Sequence, residues 1–300
     1  MRRLLLLFAL LLSGCGAAAA GPVEPSGTLF MSGRDPGVLI SVDAATASVH
    51  EREGVRQMSG GDPPYFVHYT GGRLVTFALG RASSFAPDLT HPKSLGEAWF
   101  WVPSATPGRI WTILRTPGSN VTFRGVREVG VDGRVLFARR WKVPGWPLGA
   151  VTDGIVVQRH ARLEVWSPVT RKRVRRLPGE FPVAFRGNVV ASERDGTLFI
   201  DDRPIPGKFA MPWAGAFSPD GTLLALPATR QRVAVVNVAS GMVSLIGGAR
   251  TAKAYPSMTW ASSGWLFWSA GGGDIGAWRV GSRARLLGVD AGKFIGMTSD

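Results

Sequence analysis

Residues 217–225 have the sequence Phe217-Ser218-Pro219-Asp220-Gly221-Thr222-Leu223-Leu224-Ala225, in which apolar residues stand on both sides of a short polar turn. A second stretch, at 260–268, is built in the same way, with Ser262-Ser263-Gly264 between Trp260 and Trp265. Pro-Asp-Gly and Ser-Ser-Gly supply the backbone angles that tight turns require. Both stretches therefore predict β-hairpins.

The same pattern recurs along the chain, each time with a glycine at or beside the turn. Neighbouring glycines of this set are 33 to 46 residues apart, about 40 on average, which is close to the repeat length of a four-stranded propeller blade. The seven glycines are Gly27, Gly72, Gly108, Gly154, Gly187, Gly221 and Gly264. The spacing predicts seven similar structural units, with six to eight possible.

Two further strands follow most of these turns. The clearest pairs are 38–43 with 47–49, 163–166 with 173–177, and 233–237 with 242–245. They contain alternating or β-branched residues, and no stretch after the N-terminal segment shows a helical period. Four short strands per repeat predict an all-β protein, a β-propeller of four-stranded blades.

Two short motifs resemble known propeller families. Ser218-Pro219-Asp220-Gly221 is similar to the hairpin of TolB-like and WD40-like propellers, while Asp43-Ala44-Ala45-Thr46 and 236–241 resemble a turn of YVTN and quinoprotein-like propellers. The resemblance covers nearly the whole chain after the N-terminal segment and implies a propeller fold. It implies no particular function, because one fold carries many unrelated activities.

The first repeat lacks an innermost strand, since no strand precedes Gly27. The last residues, 293–300, form an apolar segment that follows the last strand of the seventh repeat, 284–287. We expect this C-terminal segment to pair with residues 28–32 and to close the ring, which removes an exposed sheet edge.

The N-terminus has the pattern of an export signal. Arg2 and Arg3 precede an apolar run that starts at Leu4 and is too short to span a bilayer. The following Leu12-Ser13-Gly14-Cys15 resembles the lipobox of bacterial lipoproteins, which implies cleavage before Cys15 and attachment of lipid to its thiol. We therefore expect a signal peptide at 1–14, a lipidated, flexible tether at 15–26 and one propeller domain at 27–300, held at the cell membrane or outer membrane and facing the extracytoplasmic side.

The charge balance is basic. The chain carries 35 Lys and Arg against 21 Asp and Glu, and removing Arg2 and Arg3 leaves a net charge of +12. For an exported monomer, we expect the partners to be the membrane, through the lipid, and a protein or an anionic envelope polymer, not nucleic acid. The single cysteine excludes a disulfide framework within the chain.

Motifs that carry chemistry are scarce. The string 271–276 matches G-x-G-x-x-G, but a strand and not a helix is predicted after it, so a dinucleotide site is not expected. No histidine has a partner at i+2, i+3 or i+4, and His68, the one histidine on an expected inner strand, is predicted to pack between blades. We predict no catalytic residue, no metal ligand and no cofactor.

A binding surface, if present, is expected on the loops that join the outer strand of one blade to the inner strand of the next. The residues of these loops that suit an anionic or peptide-like partner are Arg56, Gln57, Trp146, Lys208, Trp213, Lys253 and Tyr255. The leading hypothesis is a non-catalytic interaction or envelope-assembly scaffold. The alternative is a propeller enzyme of the lyase or lactonase type with a metal in its central channel. A quinone-dependent dehydrogenase is disfavoured because the chain has no adjacent cysteine pair.

Overall fold

A computed structural model describes residues 23–33, 38–53, 67–78, 80–116, 123–207, 209, 214–253, 256–289 and 294–300. These residues form seven four-stranded antiparallel sheets, which we number as blades 1 to 7 from the N-terminus. The described part of the chain has no helix long and apolar enough to cross a membrane.

Within each blade the strands are named here from the innermost to the outermost. Blade 1 contains β28 (Phe294–Ser299), β1 (Thr28–Gly33), β2 (Leu39–Asp43) and β3 (Val49–Arg52). Blade 2 contains β4 (Val67–Thr70), β5 (Arg73–Ala78), β6 (Arg81–Phe85) and β7 (Lys93–Glu97). Blade 3 contains β8 (Phe100–Pro103), β9 (Arg109–Arg115), β10 (Phe123–Gly130) and β11 (Val135–Arg140). Blade 4 contains β12 (Trp146–Val151), β13 (Gly154–Arg159), β14 (Arg162–Trp166) and β15 (Arg173–Leu177).

The remaining three blades follow the same order. Blade 5 contains β16 (Phe181–Arg186), β17 (Val189–Arg194), β18 (Thr197–Ile200) and β19 (Arg203–Ile205). Blade 6 contains β20 (Ala216–Phe217), β21 (Leu223–Ala228), β22 (Arg232–Asn237) and β23 (Val243–Arg250), with a short 3₁₀ turn at Thr229–Gln231. Blade 7 contains β24 (Met258–Trp260), β25 (Leu266–Gly271), β26 (Asp274–Trp278) and β27 (Arg285–Leu286).

The molecule is a seven-bladed β-propeller. Each of the seven predicted glycines lies at or beside the turn between the first and second strands of a blade, and the three predicted pairs of outer strands are all present. Because strand directions alternate, these seven turns share one face of the ring, which we call the turn face. The inner strands of neighbouring blades contact each other in ring order, so blade 7 packs against blades 6 and 1.

The ring closes as predicted. Strand β28 pairs antiparallel with β1, with Met31 opposite Met297 and Leu29 opposite Ser299. The side chain of Asp300 extends this pairing, because its Oδ1 accepts a hydrogen bond of 3.0 Å from the backbone N–H of Thr28. Blade 1 is therefore built from both ends of the described chain, and β28 supplies its inner strand.

Local chemistry explains why the turns form where they do. The Asp220 carboxylate accepts hydrogen bonds from the Ser218 hydroxyl and from the Thr222 hydroxyl and backbone N–H. These bonds, led by the one from Ser218, lower the pKa of Asp220 to about 2. Asp43 caps an outer turn in the same way by accepting from the backbone N–H groups of Ala45 and Thr46. Side chains that satisfy nearby backbone donors hold these turns in place.

The hydrophobic core lies between blades. Leu29 and Met31 of blade 1, for example, share a cluster with Trp265 and Phe267 of blade 7. Trp101, Trp265 and Trp268 are among the largest fully buried side chains. Tryptophan therefore fills the space between facing sheets in this protein, and a blade obtains a complete core only when its neighbour is present.

Candidate functional site

The inner strands enclose a central channel that forms a cavity of about 630 Å³. All seven inner strands contribute to its wall, and the turns at Gly71, Gly187 and Pro219 place its end at the turn face. This volume lies within the range of about 300 to 1,000 Å³ that is usual for ligand pockets. We call its end at the turn face the channel mouth.

Neutral polar groups and aromatic rings dominate the described lining. The hydroxyl residues of the wall are Thr70, Ser104, Ser257, Thr259, Ser262, Thr298 and Ser299. The aromatic residues are Tyr69, Phe185, Phe217 and Trp260, and the charged residues are Arg186 and Asp300. Such a wall offers hydrogen bonds and stacking surfaces but little net charge.

Several of these hydroxyls join neighbouring blades. The Thr259 and Ser299 hydroxyls are 3.0 Å apart and connect blade 7 to blade 1. The Thr298 hydroxyl accepts a hydrogen bond of 3.1 Å from the backbone N–H of Tyr69 in blade 2. In turn, the Thr70 hydroxyl accepts one of 2.7 Å from the N–H of Gly108 in blade 3. The wall is therefore held rigidly on this side of the ring.

His68 lies on the inner strand β4, where its ring faces Trp101 of blade 3 at 6.2 Å between centroids. Removal from water penalises the charged imidazolium, so burial lowers the pKa of His68 to about 4. The imidazole is consequently neutral at neutral pH. The contact with Trp101 agrees with the predicted packing between blades, and His68 also lines the channel.

Tyr69 and Asp300 are two further titratable groups at the channel. The Tyr69 ring stacks on Phe30 with 5.0 Å between centroids and 10° between planes. Burial, together with the negative charge of Asp300, raises the pKa of Tyr69. The phenol therefore stays protonated at neutral pH and can donate a hydrogen bond.

The described residues contain no group of three or more His, Cys, Asp or Glu side chains that could hold a metal ion. The glycine-rich string at 271–276 forms the turn between β25 and β26, so a strand follows it, as the sequence predicts. The helix that a dinucleotide fingerprint requires does not follow this string.

Most of the predicted binding residues lie outside the described residues, namely Arg56, Gln57, Lys208, Trp213 and Tyr255. The lipobox residues Leu12, Ser13, Gly14 and Cys15 also lie outside them. Thus the structure places two members of the predicted binding face.

The first, Trp146, begins the inner strand β12 instead of lying in a loop. It is half-buried, with ring centroids 6.0 Å from Phe100 and 5.6 Å from Phe123. The second, Lys253, is exposed in the connection between β23 and β24. The structure does not bring these two residues into one site.

The channel-mouth residues were not among the predicted site residues. The available signal was positional, because Phe185, Phe217 and Trp260 each stand two to four residues before a turn glycine of the repeat. Repeat position alone places a residue near the axis. It does not show whether its side chain faces the channel or the neighbouring blade.

The densest basic run, 171–176, lies on the β14–β15 turn and on β15, the outermost strand of blade 4. Arg173 donates to the buried Glu164 at 3.1 Å, and Arg175 donates to Asp201 of blade 5 at 3.1 Å. Burial acts to raise the pKa of Glu164, but hydrogen bonds from Trp166 and Arg173 outweigh it, so this pKa is lowered. Much of this run is therefore engaged in ion pairs.

Comparison with known proteins adds a likeness of fold. No family model matches the sequence, and no curated protein is significantly similar to it. Among solved structures, AztD of Citrobacter koseri is 10% identical with a TM-score of 0.51, and its apo form is 11% identical with a TM-score of 0.54. Each alignment covers 93% of this chain and 98% of the AztD chain.

TolB of Acinetobacter baumannii is 14% identical with a TM-score of 0.53, over 93% of this chain and 67% of the TolB chain. The likeness to TolB agrees with the resemblance of the Ser218–Gly221 hairpin to TolB-like propellers. At such low identities, these structures establish the propeller fold and leave the ligand open.

Proposed function

We propose that this protein is a lipid-anchored, extracytoplasmic propeller that binds a partner at its channel mouth and does not catalyse a reaction. The observation that carries the proposal is the chemistry of the channel. Hydroxyls, backbone groups and aromatic rings can bind an extended peptide or a polar ligand by hydrogen bonding and stacking.

The described channel residues offer little for acid–base catalysis. The pKa of His68 is about 4 and its ring packs against Trp101, so it is a poor proton acceptor at neutral pH. The Asp300 carboxylate already accepts a hydrogen bond from Thr28. Binding is the use that this wall supports best.

The contacts of residues 23–26 relate the proposed anchor to the channel. Arg285 of blade 7 forms an ion pair of 2.9 Å with Glu24 and donates to the Val23 carbonyl at 3.0 Å. The Ser263 hydroxyl, at the turn face, donates to the Ser26 carbonyl at 2.6 Å. The N-terminal segment thus leaves the ring at the turn face, beside blade 7.

A lipid on Cys15 would lie eight residues before Val23. Eight extended residues span at most about 28 Å, so the anchor would hold the turn face close to the membrane. The channel mouth would then be available to a partner at the membrane surface, such as a segment of a membrane protein or an envelope polymer. Palmitate labelling of the chain and of Cys15→Ala tests the anchor, and label retained by Cys15→Ala would contradict it.

Binding at the channel mouth is tested by crosslinking in envelope extracts. Arg186 lines the mouth, and Arg186→Glu should abolish a crosslinked product that the parent chain forms. The matched control is Arg162→Glu, which changes an exposed arginine at the start of β14, away from the channel. Equal loss in both variants, or in neither, would contradict binding at the mouth.

Metal analysis of the same purified chain separates the proposal from the enzyme alternative. One tightly bound metal ion per chain, removed together with a hydrolase or lyase activity by chelation, would favour the propeller enzyme. A chain that binds its partner equally well before and after chelation would support the scaffold.

A further inference from the structure

A basic groove lies on the circumference of the ring between blades 3 and 4, away from the channel. It has a volume of about 510 Å³, and Phe123 and the buried Trp141 are part of its lining. Its cationic residues are Arg124, Arg140, Lys142 and Arg171, which define the basic groove here.

Two blades build this groove. Arg124 stands near the start of β10, and Arg140 ends β11, so both belong to blade 3. Arg171 lies on the β14–β15 turn of blade 4. Arg139 of β11 donates a hydrogen bond to the carbonyl of Val169 on that same turn, which fixes one blade relative to the other.

The charges in the basic groove are poorly neutralised. One carboxylate, that of the exposed Glu97, lies 3.9 Å from Arg124. The side chains of Arg140, Lys142 and Arg171 form no ion pair or hydrogen bond with the described residues. The adjacent arginines of β15 differ, since Arg173 and Arg175 are paired with Glu164 and Asp201. Four exposed cations therefore surround one shallow depression, and among the described residues one peripheral carboxylate opposes them.

Such an arrangement selects for closely spaced negative charges. Cations held near one another repel, and an anion that binds between them relieves this repulsion. Arginine also presents a planar fork that matches two oxygens of one phosphate group. Three arginines and one lysine can engage several adjacent phosphates at once.

We propose that the basic groove binds a free polyanion that carries closely spaced phosphate groups. Its position favours a free polymer over the headgroups of the anchoring membrane, because Arg124 near the start of β10 and Arg140 at the end of β11 lie at strand ends away from the turn face. In a ring of seven blades, the boundary between blades 3 and 4 lies opposite blade 7, where residues 23 and 24 are held by Arg285. The preference for a free polymer over membrane headgroups rests on the proposed lipid anchor. The proposed binding of phosphate groups does not depend on that anchor.

Sodium tripolyphosphate is the probe, titrated by calorimetry into the full chain in detergent at 0.15 M salt. The test variant is Arg140→Glu/Lys142→Glu, and the control is Arg279→Glu/Arg283→Glu, which reverses two exposed arginines near the β26–β27 turn of blade 7. Both variants change the net charge by the same amount. We expect saturable binding that weakens at least tenfold in the test variant and less than twofold in the control.

Equal weakening in both variants would mean that overall charge and not the basic groove attracts the anion, and would overturn the proposal. So would the absence of saturable binding, or variant-sensitive binding to vesicles of anionic phospholipid without binding to tripolyphosphate. Circular dichroism checks that each variant folds. If the charge reversal unfolds the test variant, Arg140→Gln/Lys142→Gln replaces it, with Arg279→Gln/Arg283→Gln as the matched control. Failure of palmitate labelling would refute the anchor and leave the titration result intact.

Discussion

Gly276→Ala should destabilise the propeller strongly, because the buried ring of Trp268 occupies the space that a side chain at position 276 would need. Gly276 lies in β26, and Trp268 on the paired strand β25 is its cross-strand partner. A Cβ atom at position 276 would lie 2.5 Å from Nε1 of Trp268 and closer still to two of its ring carbons. Trp268 is 1% exposed, so its ring has little room to move.

The expected cost has two parts. Inserting a methyl group into a packed core typically costs about 1 to 3 kcal/mol. The Trp268 indole N–H also donates to the Arg250 carbonyl at 2.9 Å, and displacing the ring would sacrifice that bond at a cost of about 1 kcal/mol. We therefore expect a loss of about 3 kcal/mol, which for a domain of this size lowers Tm by about 5 °C.

Urea unfolding followed by tryptophan fluorescence measures this loss. Gly247→Ala is the matched control, since Gly247 is exposed on β23 and a Cβ atom there meets no atom within 4 Å. The control should stay within about 0.5 kcal/mol of the parent chain, as is usual for surface changes. If Gly276→Ala is as stable as Gly247→Ala, the packing argument for the space between blades is wrong.

Three further predictions concern the channel and the N-terminal segment. The pKa of His68 is about 4 in the folded state and about 6.5 in the unfolded state, so its contribution to stability is complete above pH 6.5 and falls as the pH drops toward 4. His68→Gln should make the urea midpoint fall less over this pH range. An equal fall in the variant and the parent chain would contradict the role of His68. Thr298→Val should cost about 1 kcal/mol in urea unfolding, because the Tyr69 N–H loses its acceptor, and no cost would show that water replaces it. Arg285→Ala should speed hydrogen exchange at Glu24 and neighbouring residues with little change in Tm, whereas unchanged exchange would show that Arg285 does not hold this segment.

The propeller architecture could be predicted from the sequence because the turn motifs that indicate it are local. Turns such as 218–222 are formed by side chains that bind backbone N–H groups two to five residues away, and these residues are visible in any short window. The regular return of such turns predicted the blade number, and the missing strand before Gly27 predicted closure by the C-terminal segment. The outer strands β7 and β11 could not be predicted from the sequence. Their exposed positions tolerate charged residues and glycine, so their sequences lack the alternating pattern of a strand.

The candidate sites depended on contacts between distant residues. Thr259 and Ser299 are forty residues apart, and Tyr69 and Thr298 are 229 apart, yet both pairs lie across neighbouring blades in the channel wall. Arg140 and Arg171 likewise face one groove from two blades. Their side-chain directions follow from blade packing, which no window of sequence contains.

Sequence alone thus indicated most of the strands, the preferred number of blades and the place where the ring closes, since backbone preferences act over a few residues. The tertiary structure decided which cations are neutralised, as Arg175 is by Asp201, and which are left facing solvent, as Arg140 is. It also decided that His68 is neutral and that hydroxyls line the channel. Electrostatics and burial are set by distances in space, and the ring makes neighbours of residues that the chain keeps far apart.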